Sequence, residues 1–268
     1  MSRQIDTLQV GLLAFPRVQQ LDLTAPYEVF ASADGMQVHV VAASLDPVAS
    51  ATGLVLMPTT TFSACPDLDV LCVPGGVGVN ALMQDEATLA FVRRQGALAR
   101  YVTSVCTGAL VLGAAGLLEG RRATTHWAAL DLLAAFGAVP VAERVVRDGN
   151  LVTGGGVTAG IDFALTLVAE LMGRAEAERV QLALEYAPAP PFDAGTPRTA
   201  GADVLAAARG GLAASRAERE RIVAAITGQV TGQVTGQVTG QVTGQVTGQV
   251  TGQVTGQVIG TVTDTPAP

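Results

Sequence analysis

The chain has 268 residues and a formal net charge of −7, and every one of its 16 basic residues is arginine. With no lysine there is no side-chain amine for Schiff-base chemistry, and with no basic run there is no footprint for nucleic acid. Three cysteines, two histidines and no C-x-x-C motif argue against a structural zinc site or a disulfide framework.

Hydrophobic residues make up 49% of the chain and aromatics only 4%, so the core is expected to be aliphatic. The N-terminus, "MSRQIDTLQVGLLAFPRVQQ", has its apolar run broken by Gln9 and Gly11 and stopped by Pro16. It reads as a first strand, 8–15, rather than a signal peptide, and the default compartment is a reducing cytoplasm. "APYEVFASA" (25–33) reads as a helix and "MQVHVVAAS" (36–44) as a second strand. "DVLCVPGG" (69–76) is a strand running into glycines. "DEATLAFVRRQGALA" (85–99) is a helix with acids in its first turn and arginines later, as the helix dipole favours. "YVTSV" (101–105) predicts a strand, "TGALVLGAAGLL" (107–118) a helix, and "NLVTGGG" (150–156) another strand ending in glycines. Helices follow over 158–173 and 175–186, then a Pro-rich irregular arm over 187–201 and a helix over about 202–226. Strands alternating with helices predict an α/β sandwich around a mostly parallel sheet, with any site beyond the carboxyl ends of the strands.

Residues 1–226 are therefore expected to form one domain, with 187–226 as its extended arm and C-terminal helix. From Thr227 to Val258 the chain is eight perfect TGQV tetrapeptides. Each has one Val, one Gly and no charge, which offsets little ordering entropy. The 227–268 tail is expected to be disordered and contributes nothing to the functional argument.

The uncharged stretch "YVTSVCTGALVLGAAGLL" (101–118) is about the length of a membrane span. Its glycines, hydroxyl residues and thiol, and Arg121 and Arg122 just beyond, fit a buried strand-turn-helix better. Cys106 then falls where the strand ends and the helix begins, and Gly108 allows a tight turn. Amide dipoles at a helix N-terminus favour an anion, so this placement is expected to lower the thiol pKa. Burial as an inert thiol is the competing reading, and it describes Cys72 and Cys65 well. Gly75 and Gly76, just after another strand, are expected to offer free amides that act with the Thr107 amide as an anion-stabilising pocket. Asp22 follows the first strand, where an acid is ordinarily a helix-start or loop residue. His126, in "ATTHW", is the alternative base, expected near the end of the next strand and read as a supporting residue.

Taken together, "LLAFPRVQQLDLTAPYEVF", "LDVLCVPGGVGVNALMQD", "YVTSVCTGALVLGAAGLLEGRRATTHW", "RVVRDGNLVTGGGVTAGIDFALTLVAEL" and "VQLALEYAPAPPFDAGTP" resemble the ThiJ/PfpI superfamily over residues 8 to about 220. Within it they look closest to its isocyanide-hydrating branch. The resemblance implies a flavodoxin-like three-layer sandwich with a nucleophile elbow at Cys106, and a homodimer. It implies water addition to an isocyanide, giving an N-substituted formamide, without metal or organic cofactor. It assigns Cys106 as nucleophile, Asp22 as its acidic partner and Thr107 as the supporting neighbour. Three rivals remain open. One is glyoxalase or deglycase chemistry by Cys106 with His126. Another is a sensor domain like those of AraC-type regulators, for which residues 227–268 carry no basic recognition helix. The third is redox sensing by Cys106.

Overall fold

The computed structural model describes residues 7–228. Strand β1 (Leu8–Leu13) leads to α1 (Gln20–Ala31) and β2 (Met36–Ala42). Three two-residue strands, β3 (Val48–Ala49), β4 (Val55–Leu56) and β5 (Thr60–Thr61), precede β6 (Val70–Val73). Helices α2 (Val79–Leu82) and α3 (Glu86–Leu98) lead to β7 (Tyr101–Val105) and α4 (Gly108–Ala114). Short strands β8 (Arg122–Ala123) and β9 (Val139–Pro140) flank a 3₁₀ stretch, Trp127–Phe136. A hairpin of β10 (Val145–Asp148) and β11 (Leu151–Gly154) precedes α5 (Ala159–Met172), α6 (Arg174–Ala183) and α7 (Ala202–Thr227).

Seven strands form the central sheet in the order β10-β11-β7-β6-β1-β2-β5. Every pairing in it is parallel except β10 with β11. The run Val70-Leu71-Cys72-Val73 is buried along its whole length, as a strand covered on both faces must be. Val70 and Cys72 pack toward α1 and α5, with Phe30, Phe163 and Leu167. Leu71 and Val73 pack toward the opposite layer, with Phe91, Leu110, Leu133 and Ile222. These two apolar clusters, one on each face, make the three-layer sandwich the sequence predicts.

From β1 the chain winds to β2 and β5, then re-enters at β6 on the other side of β1 and continues to β7 and β11. The strand order reverses between β1 and β6, and it is beyond the carboxyl ends at such a reversal that open α/β sheets bind ligands.

Some boundaries differ from expectation. Helix α1 starts at Gln20, so Pro26 lies inside it rather than near its start. Helix α4 stops at Ala114 because Gly116 takes a left-handed conformation. The 3₁₀ stretch and the β10 edge strand are additions that the sequence pattern did not suggest. The 101–118 run divides into β7, a turn and α4, and no helix among the described residues is long and apolar enough to cross a membrane. The tail expected to be disordered lies, from residue 229 onward, outside the described residues.

Candidate active site

Three chain segments meet at this reversal of strand order. Helix α1 brings Asp22, the turn after β6 brings Gly75 and Gly76, and the turn after β7 brings Cys106 and Thr107. Cys106 has φ 53°, a left-handed conformation that a side chain rarely adopts. It is held there by its neighbours. Its N–H donates to the carbonyls of Gly154 (3.1 Å), the last residue of β11, and Gly155 (2.7 Å), and its own carbonyl accepts from the Thr125 hydroxyl (2.6 Å). A side chain at position 108 would strike the Val73 carbonyl, so only glycine lets α4 start this close to β6. Strain imposed from several sides at one residue is characteristic of functional positions.

Asp22 is wholly buried in the first turn of α1. Its Oδ2 accepts the Gly75 N–H at 2.9 Å, and its Oδ1 has no hydrogen-bond partner among the described residues. Burial pushes its pKa up to about 7, opposed by the Gly75 amide and more weakly by the Cys106 thiol. Cys106 is 5% exposed. Burial raises its thiol pKa well above the ordinary value and the Asp22 charge raises it further, while the Thr107 amide and hydroxyl lower it. The expected lowering at a helix N-terminus is therefore overturned. Desolvation of the thiolate outweighs the amide dipoles, and Asp22 adds a like charge. The Asp22 charge raises the thiol while the thiol's hydrogen bond lowers the carboxyl, so the pair titrates as a unit and keeps one proton above neutrality.

The glycine pocket also needs correction. The Gly75 N–H is committed to Asp22, and the Gly76 N–H donates to Thr107 Oγ1 at 3.0 Å. Neither is free for substrate. The two glycines instead clamp the acid and the threonine in place. A Cβ on Gly75 would lie 2.6 Å from the Thr107 N and 2.8 Å from both Asp22 Oδ2 and Thr107 Oγ1. Of the expected pocket, the Thr107 amide remains directed at the sulfur.

His126 caps the 3₁₀ stretch after β8, its Nδ1 accepting the Ala128 N–H at 3.3 Å. Burial and the Arg219 charge lower its pKa, so the ring is neutral and serves the backbone. Cys72 and Cys65 are free thiols whose pKa values burial pushes up to about 12 and about 11. No cluster of potential metal ligands occurs among the described residues.

Sequence reading missed Arg219. It is 7% exposed, and its charge reaches both Cys106 and His126. The signal was present: Arg219, Ile222 and Val223 are spaced i, i+3, i+4 on α7, and both apolar residues are core.

The model of the DJ-1/PfpI family matches residues 9–170. A Pseudomonas putida protein named isonitrile hydratase is 68% identical over 202 residues, covering 75% of this chain and 89% of its own length. The crystal structure of a ThiJ/PfpI family protein from Pseudomonas syringae superposes with a TM-score of 0.79 at 47% identity, covering 82% of this chain and 93% of that one. Drosophila melanogaster DJ-1beta shares the fold, with a TM-score of 0.62 at 23% identity over 68% of this chain and all of its own. The chain belongs to the DJ-1/PfpI family.

Proposed function

We propose that the protein is an isonitrile hydratase, adding water to an organic isocyanide to give the N-substituted formamide. The observation that carries the reading is the buried Asp22–Cys106 pair, a nucleophile and a carboxyl titrating near neutrality with no histidine between them. The 68% identity to the Pseudomonas putida isonitrile hydratase supports it independently.

The chemistry follows from one shared proton. The isocyanide carbon is terminal and electrophilic toward a soft nucleophile. As the Cys106 sulfur bonds to that carbon, its proton passes to Asp22, and Asp22 delivers a proton to the same carbon. The product is a thioimidate, R–N=CH–S–Cys106. Asp22, again a carboxylate, takes a proton from water as the water oxygen bonds to that carbon, and passes that proton to the nitrogen. The C–S bond then breaks, the formamide R–NH–CHO leaves, and the proton returns to the pair. Thr107 orients the water through its hydroxyl and supports the sulfur through its amide. Side chains and water supply every step. His126 stays outside the proton path as a supporting residue. The protein acts as a homodimer in the cytoplasm, where thiols stay reduced; the exposed Leu182 and Phe192 suit a subunit interface.

The test follows formamide formation from a chromogenic aryl isocyanide. Wild type turns over and Cys106→Ala does not. Absence of turnover across alkyl and aryl isocyanides would refute the reading and move attention to methylglyoxal.

A further inference from the structure

Arg219 is a buried cation whose hydrogen-bond partners among the described residues are neutral. Its Nε donates to Asn80 Oδ1 at 3.1 Å and its Nη2 to Ser215 Oγ at 3.3 Å. The nearby acids are committed elsewhere. Glu218 accepts from Asn80 Nδ2 at 2.8 Å, and Asp131 and Glu220 bind Arg216 at 2.6 and 2.7 Å. No described carboxylate forms an ion pair with Arg219. A guanidinium has five N–H donors, so most of this one's fork is uncommitted. Its uncommitted nitrogen reaches solvent rather than being sealed in the core, so it is open to an incoming anion. Its place fits the site. Asn80, the partner of its Nε, lies in α2, directly after the glycine turn that clamps Asp22 and Thr107.

We propose that Arg219 determines substrate specificity: the unused edge of its guanidinium receives a carboxylate carried on the R group of the isocyanide. A planar fork matches a carboxylate in a way a point charge does not. In a chain of net charge −7, an anionic substrate needs such a local cation. The inference rests on the hydration reading and deepens it.

The test compares 4-isocyanobenzoate with its methyl ester, by kcat/KM, in wild type, Arg219→Gln and Arg219→Lys. Wild type is expected to prefer the carboxylate. Arg219→Gln should lower the carboxylate-to-ester ratio by about 10- to 100-fold, mainly through KM, as loss of a charge-assisted pair implies. Arg219→Lys should restore part of the ratio, since it keeps the charge without the fork. The inference is overturned if wild type shows no preference, a result that needs no variant to fold. It is also overturned if Arg219→Gln slows both substrates alike, or alters only the oligomeric state. Ester turnover without discrimination counts against this inference alone, whereas turnover of neither compound counts against hydration itself.

Discussion

Cys72 and Cys106 lie in the same apolar cluster, one inside β6 and the other just past the end of neighbouring β7, and both are nearly sealed from solvent. Burial raises both thiol pKa values, and the Asp22 charge reaches both sulfurs. Neither is an acidic thiol. The difference is where each sits. Cys72 is inside β6, its register neighbours Leu12 and Thr103 on either side. Cys106 is one residue past the end of β7, in a left-handed turn, where the Asp22 carboxyl and the Thr107 amide both engage it. Reactivity in this fold therefore comes from a proton partner at a strand end, not from a low thiol pKa.

Breaking that contrast gives the largest expected effect. Cys106→Ala should lower formamide formation by about 10⁴-fold or more while the fold is kept. Cys72→Ala should leave turnover intact and cost about 1–2 kcal/mol in urea unfolding, for the cavity it opens. A dead Cys72 variant beside an active Cys106 variant would invert the comparison.

Asp22→Asn tests the partner directly. It should cut turnover by about 10²- to 10⁴-fold yet leave Cys106 open to alkylation. Its effect on stability has the opposite sign. The folded pKa of about 7 lies above the ordinary carboxyl value of 3.8, so protonation favours the fold. Asp22's contribution is full below about pH 4, falls as pH rises and reaches its floor above about 7, a loss of about 4 kcal/mol. Asp22→Asn does not titrate, so it should be the more stable protein at pH 8 and lose that advantage toward pH 4. Thermal melts across that range would show parallel curves if Asp22 were not buried as a neutral acid.

Gly75→Ala sharpens the contrast by moving the clamp and leaving both acids in place. Its new methyl group lands on the Thr107 amide and the Asp22 carboxylate, so a loss of about 1–3 kcal/mol in stability should accompany a fall in kcat. His126→Asn should do least. Asparagine can cap the same N–H, and turnover should stay within about threefold of wild type. A dead His126 variant would return the histidine to the proton path.

Much of this was legible in the sequence. The strand 101–105 and the turn at Cys106 follow from an uncharged β-branched run meeting Thr-Gly, and the alternation of strands and helices carries the sheet. Asp22 was harder. Pro26 reads as a helix start, whereas α1 begins at Gln20 and tolerates the proline because Leu23, Ala25, Val29 and Phe30 bury its inner face. The commitments of the Gly75 and Gly76 amides were not legible. They depend on three strand ends converging in space, and a Gly-Gly pair carries the same letters whether its amides are free or taken. Arg219 escaped for a related reason. An Arg/Glu-rich helix suggests a solvated face, and only the spacing to Ile222 and Val223 marks the one arginine that turns inward.

The unpartnered Asp22 Oδ1 has an isotopic consequence. In the proposed sequence the formyl hydrogen of the product comes from the proton held between Asp22 and Cys106, and only the oxygen comes from the attacking water. Protein equilibrated in D₂O and diluted into H₂O with isocyanide should therefore deliver a first turnover partly labelled as R–NH–CDO. The fraction of deuterium retained would report how fast that internal proton trades with bulk solvent, and so how well the fold seals the pair.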